Sequence, residues 1–192
     1  MNIAAQPPVQ ADQTIYLKDY QKPPFLVESI NLNIQVYDDH TIVDSTLVMK
    51  RQTAGELVLL GRDLELKSVQ LNGQTLSAEQ YHLDTEQLVI TDAPDEVIVQ
   101  TQVIIHPESN TQLEGLYKAG DLFVTQNEPE GFRKITFYPD RPDVLAEFTT
   151  RVEADKKYPV LLANGNLLET GEVGEDRHFA IWQDPTKKPS YL

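Results

Sequence analysis

An amide and a carboxylate lie two residues apart in the middle of the chain, within the stretch VTQNEPEGFRKITFYPDRPD (residues 124–143). Gln126 and Glu128 would face the same side of a strand, because strand side chains alternate between two faces. Pro129 follows directly and biases Glu128 toward an extended conformation. A carboxylate at the end of a strand could hold a cation on a rigid scaffold. The residues alone favour the alternative, an ordinary surface glutamate.

The remaining reactive side chains form no recognisable catalytic motif. No H-E-x-x-H sequence is present, and the four histidines are too far apart in sequence for a paired metal motif: His40, His82, His106 and His178. The chain has no cysteine, which excludes thiolate ligands, thiol nucleophiles and disulfides. The G-x-S-x-G elbow and the glycine-rich phosphate loops are absent as well. We therefore predict no catalytic residue and no metal site in this chain alone.

Composition and charge narrow the class of protein. The chain has 192 residues, 40% of them hydrophobic, which suits a single globular domain. Its formal net charge of -14 disfavours nucleic acid and anionic membranes as partners. The N-terminal residues lack the basic and apolar regions of a signal peptide, and no apolar run could span a bilayer. We expect a cytoplasmic protein with a flexible N-terminal arm (residues 1–19) and one β domain (residues 20–192).

Alternation of apolar and polar residues predicts the elements that must position Gln126 and Glu128. Mostly apolar side chains that would face inward recur at every second position in residues 30–36 and 97–105, and again at Phe148, Thr150, Val152 and Ala154. The run ELVLLG (residues 56–61) is consistent with a strand buried on both faces. These segments predict an all-β fold, an antiparallel, saddle-like β-sandwich of about ten strands.

Turn residues support the all-β prediction, and one segment is an exception to it. Asn72-Gly73 and Asn164-Gly165 each suit a two-residue hairpin turn, because both residues accept positive φ. The exception is EGFRKITFY (residues 130–138), which could form about two helical turns before Pro139 ends them. We expect one short helix near residues 130–138.

Four motifs give the chain a family resemblance. They are LEGLY (113–117), TQ-x-E-x-E-G-F-R (125–133), DRPDV (140–144) and DP-x-x-KP-x-YL (184–192). From about Tyr20 to Leu192 the sequence resembles the N-terminal domain of the M1 family of zinc aminopeptidases, in particular its bacterial aminopeptidase N (alanyl aminopeptidase) subgroup. The resemblance implies a saddle-shaped, mostly antiparallel β domain that covers one side of a thermolysin-like catalytic domain.

The resemblance also implies what this chain does not contain. The family's G-x-M-E-N motif, its H-E-x-x-H zinc helix and its distant glutamate ligand belong to the catalytic domain, and none of them occurs here. The expected parent protein is a zinc-dependent hydrolase that removes N-terminal residues from peptides. We expect zinc in that parent enzyme and none in this chain, which should be inactive alone. Its end at Ser190-Tyr191-Leu192 is interpreted as that of an excised N-terminal domain whose partner is the catalytic domain of the same polypeptide.

Two residues receive substrate-binding roles from the resemblance. Glu128 matches the family's glutamate that binds the free α-amino group of the peptide substrate, and Gln126 matches the glutamine that lines the pocket for the first side chain. Glu130 matches no functional position. The neighbouring Arg133, Asp140, Arg141 and Asp143 are expected to brace the corner by hydrogen bonds. One departure is Pro129, where close bacterial relatives more often carry a small residue.

Two other readings of the sequence remain open at this point. One is a stand-alone β-sandwich module that binds protein or carbohydrate through tyrosines such as Tyr16, Tyr20 and Tyr37. The other is a scaffold that kept the family's saddle and lost catalysis. The sequence beyond residue 192 would separate these readings from the first, because only an active aminopeptidase needs zinc ligands there.

Overall fold

The computed structural model describes residues 16–192, and within that range the regular structure is almost entirely β. Residues 1–15 of the predicted flexible arm lie outside the described residues. The described strands are β1 (Phe25–Val36), β2 (Thr41–Arg51), β3 (Leu57–Leu60), β4 (Glu65–Leu71), β5 (Gln74–Thr75), β6 (Tyr81–Leu83), β7 (Gln87–Ile90), β8 (Glu96–Ile105), β9 (Gly115–Ala119), β10 (Leu122–Gln126), β11 (Leu145–Asp155), β12 (Asn166–Val173) and β13 (Arg177–Pro189). Two 3-10 turns complete the described elements, Leu17–Asp19 and Phe132–Lys134.

The strands form three sheets. The largest has eight strands in the order β12-β13-β11-β1-β2-β8-β4-β5, the second has the order β3-β7-β6, and β10 pairs with β9 in a hairpin. All pairings are antiparallel except that of β1 with β11, which is parallel and joins residues more than a hundred positions apart. The all-β sandwich prediction is confirmed, with this one parallel pair as an addition.

The core fills the space between the large sheet and the three-stranded sheet. The alternation predicted for residues 30–36 and 97–105 is observed in β1 and β8, where Ile30 and Val99 are fully buried. The neighbouring β2, which the sequence analysis did not single out, shows the same pattern with Val43 fully buried. Leu57 and Leu59 of β3 close the core from the other side, but Val58 and Leu60 are only half-buried. The run ELVLLG is therefore a strand with one deeply buried face rather than two.

The first predicted asparagine-glycine turn is present and the second is not. Asn72 and Gly73 have φ values of 51° and 81° and connect β4 to β5, as a tight two-residue turn requires. The predicted Asn164-Gly165 hairpin is wrong, because residues 159–163 before it form no strand. Gly165 has φ of 95°, and a side chain there would lie 2.1 Å from the Gln183 carbonyl oxygen. Close approach to β13 therefore explains this glycine.

The segment between β10 and β11 contains the short helix that the sequence predicts. It is a single 3-10 turn, Phe132–Lys134, and so shorter than the expected two turns. Backbone bonds with β3 follow immediately: Leu60 donates to Tyr138 at 2.8 Å, and Tyr138 donates to Leu60 at 3.0 Å. Pairing with another strand thus replaces the second helical turn.

Among residues 16–192 no helix is long and apolar enough to cross a membrane. The cytoplasmic location stays a prediction.

Candidate functional site

Gln126 and Glu128 lie where the β9–β10 hairpin ends. Gln126 is the last residue of β10, Glu128 is the first residue of the turn that follows, and both residues are exposed. The Gln126 side-chain amide donates to the Glu128 backbone carbonyl at 3.4 Å, which links the two positions. Within residues 16–192 the Glu128 carboxylate has no hydrogen bond and no ion pair. Its two oxygens are therefore available to an external cation.

The turn after Glu128 is tightly closed. The Gly131 amide donates to the Asn127 carbonyl at 2.9 Å, and the Glu128–Pro129 peptide bond is cis. A β-carbon at Gly131 would lie 2.3 Å from the Gln126 carbonyl oxygen and 2.9 Å from the Gly115 nitrogen. Only glycine fits there without moving the hairpin, so Gly131 fixes the end of β10 against the turn.

A buried ion pair holds this turn in place. Arg133 donates to Asp140 through its side-chain Nε at 3.0 Å and through its backbone amide at 3.2 Å, and both residues are buried. The Ser190 hydroxyl also donates to Asp140. Phe132 packs edge-to-face on Tyr138 at 5.1 Å between ring centroids. The guanidinium closest to the site in sequence is thus committed to Asp140, with Glu130 as a second partner at 3.4 Å.

A second corner lies at the exposed side of the same segment. Arg141 donates to Asp143 at 2.8 and 2.7 Å, and the Tyr20 hydroxyl donates to the same carboxylate at 2.9 Å. The Arg141 hydrogen bonds lower the pKa of Asp143, and the hydrogen bond that Asp143 accepts from the Tyr20 hydroxyl adds to this effect. These contacts agree with the bracing role expected for Arg133, Asp140, Arg141 and Asp143.

The sequence did not reveal the groove beside Glu128. It is an apolar cavity of about 750 Å³ between β10 and residues 157–164, with side chains of β1 and β11 as its floor. Asn127, between the two predicted site residues, lines this groove, and its Oδ1 is buried without a hydrogen-bond partner. The only sequence signal was the leucine-rich stretch 160–168, whose Val160 and Leu162 are 67% and 71% exposed.

The tyrosines of the alternative reading do not form one binding surface in the described chain. Tyr16 and Tyr20 are exposed, but the Tyr20 hydroxyl is bonded to Asp143. The Tyr37 ring stacks on His40 at 4.8 Å and lies 4.1 Å from the Arg177 guanidinium carbon. Its ring is therefore already in contact with protein groups.

No metal centre can be assembled from the described part of the chain. Among residues 16–192 no three histidine, cysteine, aspartate or glutamate side chains lie close enough together to hold an ion.

Curated relatives of the chain are much longer proteins. The sequence is 46% identical over 183 residues to aminopeptidase N of Caulobacter vibrioides and 43% identical over 186 residues to aminopeptidase N of Escherichia coli. These matches cover 94% and 95% of this chain but only 21% of each relative. The chain therefore spans about a fifth of the length of these proteins.

Solved structures share the fold. Aminopeptidase A of Legionella pneumophila, in complex with aspartic acid, superposes with a TM-score of 0.86 at 31% identity, over 91% of this chain and 21% of that one. An M1 zinc metallopeptidase of Deinococcus radiodurans shares the fold at a TM-score of 0.74 and 20% identity, over 88% of this chain and 41% of that one. The profile of the peptidase M1 N-terminal domain matches residues 20–192. The chain thus belongs to the peptidase M1 N-terminal domain family.

Proposed function

We propose that this domain anchors the N-terminus of a peptide substrate in a zinc-dependent aminopeptidase, whose catalytic domain is part of the same polypeptide. The observation that carries the proposal is the Glu128 carboxylate, which is exposed and unpaired within residues 16–192 at the end of a braced hairpin. Membership in the peptidase M1 N-terminal domain family and the greater length of the relatives support the proposal that this domain is part of a longer aminopeptidase.

The charge of the substrate explains the need for a carboxylate. A peptide α-amine has a pKa near 8 and is largely cationic at neutral pH. An exopeptidase must recognise that cation at a fixed distance from the bond it cleaves. Glu128 would supply this contact from a rigid neighbouring domain. Gln126, held to the same backbone by its bond to the Glu128 carbonyl, would line the pocket for the first side chain.

The chemical step belongs outside the described residues. They do not provide the ligands that a zinc ion needs. This domain would therefore bind and orient the substrate, while the remainder of the polypeptide would hold the zinc. The isolated domain should have no peptidase activity.

The test is a pair of substitutions in the full-length enzyme. Glu128→Gln should lower kcat/KM for peptides with a free N-terminus by about thirtyfold or more, because losing one partner of a desolvated charge pair costs about 2–5 kcal/mol. Glu130→Gln is the matched control: Glu130 is exposed two residues away, contacts Arg133 and should leave kcat/KM within about twofold. Equal kcat/KM values for the Glu128→Gln variant and the wild type would remove the anchoring role.

A further inference from the structure

A second cavity, polar rather than apolar, lies beside the start of β9. Its volume is about 340 Å³, at the lower end of the roughly 300–1,000 Å³ that ligand pockets occupy. Three segments that are separate in the sequence meet there: the corner between β3 and β4, the stretch 105–112, and the 3-10 turn Phe132–Lys134. The polar lining residues include Asp63, His106, Thr111, Gln112 and Lys134. None of them takes part in the anchoring role proposed above.

The cavity contains a buried ammonium group. The Lys134 side chain is only 5% exposed. Its Nζ donates to the Asp63 carboxylate at 2.8 Å and to the Gln112 side-chain oxygen. A lysine ammonium has three N–H donors, so one of them has no protein acceptor within residues 16–192. Because a buried charged donor without an acceptor is unfavourable, this N–H favours an occupant that carries an oxygen acceptor.

An exposed carboxylate lies next to this ammonium. The Asp63 side chain is 67% exposed, and in the described chain only its Oδ2 has a bonding partner, which is Lys134. The Asp63 backbone has φ of 57°, a left-handed conformation that aspartate adopts more readily than most residues. Its Oδ1 is therefore available to a cation while Oδ2 stays on Lys134.

The two charges together define the class of ligand. A simple anion would meet the Asp63 carboxylate and a chain of net charge -14, and a simple cation would meet the Lys134 ammonium. A small molecule that carries a carboxylate and an ammonium close together satisfies both groups, and a free α-amino acid has this arrangement. The Thr111 hydroxyl and the Gln112 side-chain NH₂, which have no hydrogen-bond partner within residues 16–192, offer further polar contacts.

We propose that this cavity binds a free α-amino acid, with the ligand carboxylate on the Lys134 ammonium and the ligand ammonium on Asp63. Binding at this site does not depend on the role of Glu128. In one respect the inference rests on the proposed function: free amino acids are the products that an aminopeptidase would release, so the cavity would respond to product.

The cavity is connected to the hairpin that carries the candidate anchoring residues. The Lys134 stem packs against Gly115, since a β-carbon on Gly115 would lie 2.8 Å from the Lys134 β-carbon. Gly115 is the register partner of Gln126, and Gln112 precedes Gly115 by three residues. An amino acid bound to Lys134 and Gln112 would therefore hold the start of β9, which pairs with the end of β10.

Calorimetry on the full-length protein, with L-serine as the probe, tests the proposal. Asp63→Asn removes the partner of the ligand ammonium and should weaken binding about tenfold or more, while asparagine accepts the same left-handed backbone. Lys134→Met removes the partner of the ligand carboxylate and should weaken binding to a similar extent. The matched control is Asp92→Asn, at an exposed position with φ of 52° outside the cavity, which should leave the affinity within about twofold. Asp63→Asn alone decides the test if Lys134→Met does not fold.

Hydrogen exchange of the wild-type protein locates the bound ligand. Saturating L-serine should slow amide exchange in residues 109–113 by about tenfold or more. N-acetyl-L-serine and L-serine amide, each of which lacks one of the two charges, should give no such protection. Unchanged exchange in this segment with L-serine, or wild-type affinity in Asp63→Asn, would overturn the proposal.

The Glu128→Gln variant separates this site from the proposed substrate anchor. If L-serine bound only through Glu128, its affinity would fall in Glu128→Gln and stay at the wild-type value in Asp63→Asn. That result would reject the cavity site and leave the anchoring role intact. Weakened binding in Asp63→Asn together with normal kcat/KM in Glu128→Gln would support the cavity site and reject only the anchoring role.

Discussion

Glu128 differs from the acidic residues around it in having no cationic partner in the described chain. Asp140 is paired with Arg133, Asp143 with Arg141, and Glu130 lies 3.4 Å from Arg133. Paired carboxylates at such a corner stabilise the fold. An unpaired and exposed one on a braced turn contributes little to stability, and its carboxylate is free to take the role proposed above.

The two ion pairs near Glu128, Arg133–Asp140 and Arg141–Asp143, should contribute different amounts to the stability of the domain. Asp140→Asn removes the charge opposite the buried Arg133 and should destabilise the domain by about 3–5 kcal/mol. Asp143→Asn breaks the more exposed Arg141 pair and should cost less than about 1 kcal/mol. Urea denaturation of both variants measures the difference. Equal losses would show that burial of the Arg133 pair does not matter.

The sequence alone identified the candidate site residues, but it did not predict what surrounds them in the structure. Its TQ-x-E motif identified Gln126 and Glu128 as candidates, and the structure adds that both are exposed. Nothing in the sequence indicated that the intervening Asn127 lines a groove and carries a buried oxygen without a hydrogen-bond partner. The groove forms only because β10 and residues 157–164, which are far apart in the chain, line the same space.

The hairpin β9–β10 and its closing turn form the element that positions the site. Gly131→Ala would place a β-carbon 2.3 Å from the Gln126 carbonyl and should shift the end of β10. We expect the variant to lose about 1–3 kcal/mol in stability and to show a clear fall in kcat/KM for peptides with a free N-terminus.

The matched control is Gly120→Ala at the other end of the hairpin. Gly120 has φ of 62° and no atom within 4 Å of an added β-carbon, so the variant should show backbone strain of about 1–2 kcal/mol and normal kcat/KM. Unchanged kinetics in Gly131→Ala would mean that the turn does not set the position of Glu128.

The pairing of β11 with β13 contains a charge cluster that should respond to pH. Burial alone would raise the pKa of Glu153, but hydrogen bonds from Arg177 and Arg151 outweigh it and hold the pKa below its ordinary value of 4.5. A carboxyl with a lowered folded-state pKa stabilises the fold fully above its unfolded pKa, and this stabilisation is lost as pH falls through the folded pKa.

Glu153→Gln should therefore be less stable than the wild type at pH 7, and the difference should shrink as pH falls below 4.5. Urea unfolding of both proteins between pH 7 and about 3 measures it. A difference that is independent of pH would contradict this assignment. Glu153 is buried and lies 2.7 and 2.8 Å from the partly exposed Arg151 and Arg177, which makes it a well placed carboxylate for this test.

Local patterns predicted elements well where pairing is local. Alternation predicted β1, β8 and β11, and Asn72-Gly73 predicted a turn between neighbouring strands. Prediction from the sequence failed where contacts between segments far apart in the chain determine the local structure. Asn164-Gly165 has the composition of a hairpin turn, yet its glycine is required by contact with β13, and the parallel β1–β11 pairing has no local signal.

As a whole molecule, the domain is a sandwich with one closed half and one open half. The three-stranded sheet closes the half that holds the core, whereas the groove leaves the other half open beside Glu128. The relatives are about five times longer than this chain. The open apolar face and the unpaired Glu128 carboxylate lie side by side. This arrangement is consistent with the proposal that the domain forms one side of a site completed by another part of the polypeptide.

The most direct measurement of the central claim is the coupling between Glu128 and the substrate amine. Calorimetry would compare the binding of an amino-acid amide and its des-amino counterpart to the full-length wild type and to Glu128→Gln. We predict that the substitution weakens binding of the amine-bearing ligand by about thirtyfold or more and leaves the des-amino ligand within about twofold. Equal weakening of both ligands, or of neither, would contradict the account.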